Sequence, residues 1–225
     1  MAARRSYSAS VFINCPFDAT HRPIFNALVF AVHDCGFIAR SAQEVVDGGE
    51  VRIQKILRLI RESKFGIHDI SLTELDARTG LPRFNMPLEL GIFLGAKAFG
   101  DGRQRQKVTL VLERSRYAYQ RYCSDIAGQD ITAHGRQQRR AIGAVRDWLS
   151  THSTQPMPSG TVIASRFKAF CRHLPALCAA VGLRPRELTF SDFTAMVVTW
   201  LKADQEPLLR ATARATADRG RRQRA

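Results

Sequence analysis

Short apolar segments alternate with helix-like segments about five times over the first 150 residues, and this alternation strongly limits the folds open to the chain. The segments VFINC, FIAR, FGIHDI and KVTLVL have the length and composition of buried strands. A repeat of strand and helix predicts a parallel sheet with helices on both faces. We therefore expect an α/β fold of the flavodoxin-like, three-layer type, with strand order 2-1-3-4-5.

Two of the expected helices differ in character. Residues 50–63 carry apolar side chains at helical spacing and a basic outer face, which predicts an amphipathic helix. Residues 85–99 are apolar nearly all round, which predicts a buried helix. We expect Gly91 and Gly95 to let this second helix pack closely against the sheet or admit a ligand.

A linker rich in Pro, Ser, Thr and Gly at residues 150–160 predicts a domain boundary. The α/β domain is therefore expected over residues 1–150. Residues 161–202 have apolar side chains at helical spacing, which predicts a helical extension used for packing or oligomerisation. Residues 203–225 end in DRGRRQRA, and we expect this basic segment to be a disordered tail.

Composition excludes several classes of protein. Neither a membrane-spanning run nor a secretory signal is recognisable, so we expect a cytoplasmic protein without a membrane partner. The five cysteines form no C-x-x-C pair, which argues against a disulfide framework and a standard zinc site. The net charge of +14 permits nucleic-acid binding through the basic tail, but scattered arginines are more often a solvated surface, and we do not favour it.

One carboxylate stands out in the segment PRFNMPLELGIFLG at residues 82–95. Glu89 has apolar neighbours on both sides, and burying an unpaired carboxylate costs on the order of several kcal/mol. We therefore expect Glu89 to face a cavity or a partner. The ordinary alternative is favourable electrostatics between an acid in the first helical turn and the positive end of that helix.

Polar residues also follow two strands that the expected topology places side by side. His68 and Asp69 end the third strand, and the ligand crevice of this fold opens where the first and third strands diverge. Loop capping or local turn chemistry explains such residues equally well. The loop after the first strand begins with Asn14, Cys15, Pro16 and Phe17.

The strand-end Asp69 and the motif N-x-x-x-E-L-G, which begins at Asn85, resemble the bacterial TIR-like and nucleoside 2-deoxyribosyltransferase-like superfamily over about residues 1–150. The resemblance implies that Glu89 attacks or stabilises the anomeric carbon of a nucleoside or of NAD. It gives Asp69 as a second catalytic acid and the loop at residues 14–17 as a substrate contact. It implies NAD as a substrate, with neither a cofactor nor a metal, and a homo-oligomer, because many TIR-like enzymes act only after assembly.

The expected chemistry follows from the charge that develops in the reaction. Cleaving an N-glycosidic bond builds positive charge on the ribose, and a carboxylate stabilises that charge or captures C1′. The main hypothesis is an N-glycosidase acting on NAD or a related nucleotide, with bacterial defence as the role implied by the resemblance. We expect His68, Arg83 and Asn85 to bind substrate. Arg83 and Arg52 are candidate phosphate ligands, although exposed arginines are more often surface residues.

The alternative is a non-catalytic nucleotide- or partner-binding signalling module of the same fold. It predicts that Glu89 lies in an ion pair and is closed to solvent. A phosphoacceptor receiver domain is rejected, because it needs clustered acids after the first strand and a lysine after the fifth, and the first strand ends in Asn14 and Cys15.

Overall fold

The computed structural model describes residues 2–44, 47–72, 80 and 83–204, with the backbone alone described for residues 2–5. The strands are β1 (Ser10–Asn14), β2 (Ile38–Arg40), β3 (Phe65–Asp69), β4 (Val108–Glu113) and β5 (Ile131–Ala133). The helices are α1 (Ala2–Ala9), α2 (Arg22–Asp34), α3 (Arg52–Glu62), α4 (Asn85–Phe99), α5 (Gln138–Ser150), α6 (Gly160–Ala180) and α7 (190–204).

The five strands form one parallel sheet in the order β2-β1-β3-β4-β5. Helices α2 and α5 pack against each other, as do α3 and α4, so that a layer of helices covers each face. The predicted α/β fold, its strand order and its C-terminal helices are therefore confirmed. The register pairs Asn14 with His68 and Glu113 with Ala133, so the strands end along a common edge.

The core beneath α3 and α4 is built around the buried side chains of Phe12, Leu59 and Phe93. The closest approach of helix to sheet occurs at Gly66 on β3. A Cβ atom there would lie 2.7 Å from the ring of Phe93, so any larger residue would push α4 outward. The same atom built at Gly91 or Gly95 meets nothing within 4 Å, so the expectation that these two glycines allow close packing is wrong.

The composition of α4 predicted a helix that is buried on all sides, and this prediction is wrong. Its buried residues are Met86, Glu89, Leu90 and Phe93, which share the face that contacts the sheet. On the outer face, 57% of Leu88 and 89% of Phe99 are exposed, because a helix layered on a sheet has a single face to bury.

A lysine lies inside the fold next to α3. Lys107 is 1% exposed, and its Nζ atom donates hydrogen bonds to the carbonyl oxygens of Ile60 and Ser63, at 2.5 and 2.6 Å. These carbonyls belong to the C-terminal end of α3, where carbonyl groups lack partners within the helix. Burial lowers the pKa of Lys107 to about 7.

The chain divides into two compact units, residues 1–169 and 170–225. The division falls inside α6 rather than in the predicted linker at 150–160. The first half of α6 belongs to the α/β unit because Phe167 packs 5.3 Å from Phe30 between ring centroids, and Arg166 forms an ion pair with Asp34 at 2.5 Å.

The second unit is helical in its described part. Phe170 contacts the rings of both Phe193 and Trp200, and the Nε1 atom of Trp200 donates a hydrogen bond to His173 at 3.0 Å. Residues 203 and 204 continue α7, whereas the rest of the predicted basic tail, 205–225, lies outside the described residues. Within the described residues, none of the helices combines the length and the apolar character needed to cross a membrane.

Candidate functional site

A cavity of about 360 Å³ opens at the carboxyl end of β1, next to the N-terminal half of α4. A volume of this size lies within the range of small-molecule sites. The lining includes every residue predicted for the site except His68 and Asp69. The lining residues are Asn14, Cys15, Pro16, Phe17, Asp18, Arg52, Arg83, Asn85, Met86 and Glu89.

Glu89 lines this cavity and is 6% exposed. Within the described residues, no hydrogen bond or ion pair reaches its carboxylate, and Arg52 is the one charge that acts on it. Burial raises the pKa of Glu89 to about 7, and Arg52 opposes part of that rise. Because Glu89 is the fifth residue of α4, it lies beyond the first turn, where the helix dipole acts. Stabilisation by the helix end therefore does not explain this carboxylate.

Asn14 fixes the mouth of the cavity by joining β1 to α4. Its Nδ2 atom donates a hydrogen bond to the carbonyl oxygen of Met86 at 2.9 Å and lies 3.1 Å from Nδ1 of His68. All these groups are buried, so the side chain of Asn14 is held in one position. The predicted contact residue Asn14 thus also determines where α4 begins relative to the sheet.

Cys15 is buried, and its pKa lies well above the ordinary value because of burial and the nearby negative charges of Asp69, Glu89 and Asp18. The side chain therefore stays a neutral thiol and is not an activated nucleophile. Phe17 stacks edge-on against Phe25 at 5.4 Å between ring centroids, which gives the cavity one aromatic wall.

Two arginines bring positive charge to the same cavity. Arg52 is the first residue of α3 and is exposed. Nη1 of Arg83 lies 3.7 Å from the Oδ2 atom of Asp18, across the loop that follows β1. The cavity therefore combines a carboxylate on its inner wall with guanidinium groups towards solvent, which suits a ligand carrying both a sugar and a phosphate.

His68 lies beneath the cavity and outside its lining. It is fully buried between the rings of Phe12 and Phe93, and burial together with Lys107 lowers its pKa to about 3. Since Nδ1 accepts from Asn14, the Nε2 atom carries the proton. Nε2 has no hydrogen-bond partner in the described part of the chain. His68 therefore positions Asn14, and the structure gives it no access to a substrate.

Asp69 is fully buried and lies outside the cavity lining, because it is the centre of a separate polar cluster. Its Oδ2 atom accepts hydrogen bonds from Nε2 of His21 at 2.7 Å and of His134 at 3.1 Å, and its Oδ1 atom accepts the N–H of Ser71. Burial by itself would raise the pKa of Asp69, but the two imidazoles more than offset it and lower the pKa. Asp69 was predicted to be a second catalytic acid in contact with substrate. The structure instead places it in this cluster, outside the cavity lining.

The residues that could hold a metal ion in the described part of the chain are those of this cluster. One ligand atom from each of His21, Asp69 and His134 lies within 4.8 Å of the others. However, Nδ1 of His134 accepts the N–H of Arg136, so the proton is on Nε2, the atom that a metal would need. In this arrangement the polar atoms of the cluster are paired with one another through hydrogen bonds.

His21 and His134 were not predicted as site residues from the sequence. His134 follows β5, which has only three residues and therefore gives almost no periodic signal. His21 precedes α2 in a loop, and it was not recognised because the residues around it are typical of turns. The signal available in retrospect is that both residues follow strands of the predicted parallel sheet, at the edge where Asp69 ends β3.

Comparison of the chain with protein-family models, with curated proteins and with solved structures finds no match. The interpretation of the site therefore depends on its own geometry and on the resemblance carried by Asn85, Glu89 and the residues around them.

Proposed function

We propose that this protein is an N-glycosidase that cleaves the bond between ribose and base in NAD or a related nucleotide, with Glu89 as the catalytic residue. The observation that carries the proposal is the Glu89 carboxylate, which lines a cavity of about 360 Å³ and has no ion-pair partner among the described residues. The alternative of a non-catalytic module predicted an ion pair, which the described residues do not provide, and closure to solvent, which the 6% exposure of this side chain does match. An enclosed carboxylate with a raised pKa is typical of functional sites.

The chemistry follows from the position of a negative charge beside a sugar. As the glycosidic bond breaks, its electron pair leaves with the base, and the ribose carries positive charge at C1′. Glu89 stabilises that charge, or captures C1′ until water attacks it. With NAD, water adds to C1′, so that nicotinamide, ADP-ribose and a proton are the products. Nicotinamide leaves as a neutral molecule and needs no general acid, so one carboxylate suffices.

Arg52 and Arg83 give the proposal its preference for nucleotides over nucleosides. Both line the cavity, and a guanidinium group binds phosphate through paired hydrogen bonds. Asp69 acts in this proposal as a positioning residue, because it holds the loops that flank β1 and β5. The proposal also includes a role in bacterial defence and assembly into a homo-oligomer, both of which the resemblance implies. Cytoplasmic location is proposed from the sequence, in which neither a signal nor a membrane-spanning run was recognised.

The experiment incubates the purified full chain with NAD, with nicotinamide mononucleotide and with nucleosides, and measures the released base by chromatography. We expect base release with the wild type and a loss of at least about 100-fold in Glu89→Gln, since general-base and nucleophile replacements cost this much or more. Glu62→Gln is the matched control, because Glu62 lies on α3 in an ion pair with Arg40 outside the cavity.

Arg52→Ala refines the same assay. We expect a raised KM for nucleotides and an unchanged KM for nucleosides, because only the former carry a phosphate. Equal base release by wild type and Glu89→Gln would remove the proposed role of Glu89. Nucleotide binding by both proteins, without base release from any substrate, would favour the non-catalytic module.

A further inference from the structure

Two arginine-rich segments, residues 113–122 (ERSRYAYQRY) and 134–140 (HGRQQRR), play no part in the proposed function. The sheet brings them together, because β4 and β5 pair in parallel with Glu113 opposite Ala133. Both segments therefore leave the sheet at the same edge. They line one open groove of about 780 Å³, to which Arg114, Arg116 and Arg140 contribute.

The groove has a strong excess of positive charge. Arg116 and Arg140 are exposed and form no ion pair with any residue that the structure describes. Among the residues that the structure describes, Asp147 is the one acid in the lining, and it is paired with Arg146 at 3.1 Å. The first turn of α5, where Arg140 lies, contains no acid, so its arginine and the positive helix end reinforce each other. An anion bound here is stabilised by both.

An aromatic surface adjoins the arginines. A second hollow of about 290 Å³ shares Arg116, Thr132 and Ala133 with the groove, so the two are contiguous, and its lining includes the exposed ring of Tyr117. Tyr117 is 66% exposed and has a left-handed backbone, with φ of 64°. A non-glycine residue in this conformation costs on the order of 1 kcal/mol, and the ring of Tyr117 is held in solvent next to Arg116 in the same hollow.

We propose that this groove binds single-stranded nucleic acid, with Arg116 and Arg140 on the phosphates and Tyr117 stacked on a base. Alternating cations and exposed aromatic rings along an open groove are the features that bind single strands without base pairing. The site lies at the ends of β4 and β5 and shares no lining residue with the Glu89 cavity. Its residues are also different from those of the basic tail, for which the sequence had suggested nucleic-acid contact.

The test measures binding of the full chain to a fluorescent single-stranded oligonucleotide of about 12 nucleotides, a length that spans a typical single-strand site. Binding is followed by anisotropy over a series of salt concentrations. For Arg116→Ala/Arg140→Ala we expect the slope of log affinity against log salt to become shallower by about 1.4, since each phosphate contact on a single strand contributes about 0.7. For Tyr117→Ala we expect about tenfold weaker binding with an unchanged slope.

The matched control is Arg172→Ala/Arg186→Ala, which removes the same charge from two exposed positions outside the groove. It should bind with the wild-type slope, and Glu89→Gln should bind as the wild type does, so this test is independent of the proposed enzymatic activity. The proposal is overturned if the groove variant keeps wild-type affinity, if the control variant loses as much, or if mononucleotides compete as well as the strand at equal phosphate concentration.

Discussion

The environment of Glu89 favours the neutral carboxylic acid, whereas the proposed chemistry needs the carboxylate anion. Burial raises its pKa to about 7, so near neutral pH the carboxyl exchanges between both forms. A group with such a pKa is poorly solvated as an anion, and this makes its charge more effective beside a developing cation.

This predicts the pH dependence of base release. Because only the ionised form of Glu89 stabilises the ribose cation, kcat/KM should rise with pH and level off above an apparent pKa of about 7. The measurement is a pH series of base release at low substrate concentration. A profile that levels off near pH 4, the ordinary range for a glutamic acid, would contradict the environment described for Glu89.

Ionisation of Glu89 should also change the free energy of unfolding with pH, and this provides a control for that profile. The folded pKa of Glu89 lies above its unfolded value, so the folded chain binds more protons between about pH 4.5 and 7. The free energy of unfolding should therefore fall as pH rises through this window in the wild type, relative to Glu89→Gln, which cannot ionise. The same two proteins thus report the pKa without any substrate.

At the scale of elements, the buried cluster of Asp69, His21 and His134 fastens three loops to one another. Asp69 ends β3, His21 precedes α2 and His134 follows β5, so one carboxylate joins three segments at the carboxyl edge of the sheet. Removing one member of a buried hydrogen-bond network costs more than its hydrogen bonds contribute, because the remaining polar groups lose their partners.

We therefore expect Asp69→Asn to lower the free energy of unfolding by about 1–3 kcal/mol, whereas Asp130→Asn, at an exposed position, should change it by less than about 0.5 kcal/mol. Urea unfolding measures both. Because the folded pKa of Asp69 is lowered, its stabilisation is present above about pH 4 and is lost as the pH falls below that value. An Asp69→Asn protein of wild-type stability that has lost base release would instead place Asp69 in the chemistry.

At the scale of the whole molecule, the end of the α/β unit lies further along the chain than the linker indicated. Phe167 is 4% exposed and packs on Phe30, so we expect Phe167→Ala to destabilise this unit by about 3–5 kcal/mol. Phe99→Ala, which replaces a residue that is 89% exposed, is the matched control and should have almost no effect.

The two tryptophans, Trp148 and Trp200, lie in different units, which allows this prediction to be measured on the full chain. In proteins that also carry Trp200→Phe, fluorescence during urea unfolding comes from Trp148 and reports the α/β unit alone. If Phe167→Ala left that transition unchanged, the first half of α6 would not belong to the core of the first unit.

Periodicity in the sequence was sufficient to predict the sheet, because β1, β3 and β4 are continuous apolar runs and the intervening helices have clear apolar faces. The position of Glu89 at a cavity was predicted for another reason, because a lone carboxylate among apolar neighbours is costly to bury unpaired. The pairing of Asp69 with His21 and His134 was not predictable, since contacts between loops depend on side-chain directions that no spacing encodes. The boundary inside α6 was missed for a similar reason, because Phe30 and Phe167 are distant in sequence.

The buried side chain of Lys107, next to α3, can report how often the fold opens around it. The Nζ atom of Lys107 donates to two carbonyl oxygens and the side chain is 1% exposed, so acylating reagents cannot reach this amine while the fold is closed. Acylation of Lys107, followed by peptide mass spectrometry, should therefore proceed only as fast as the strand beside it separates from α3. Faster labelling of Lys107 than of an exposed residue such as Lys97 would contradict the enclosed environment of Lys107. Slower labelling would give the rate at which the start of β4 separates from α3.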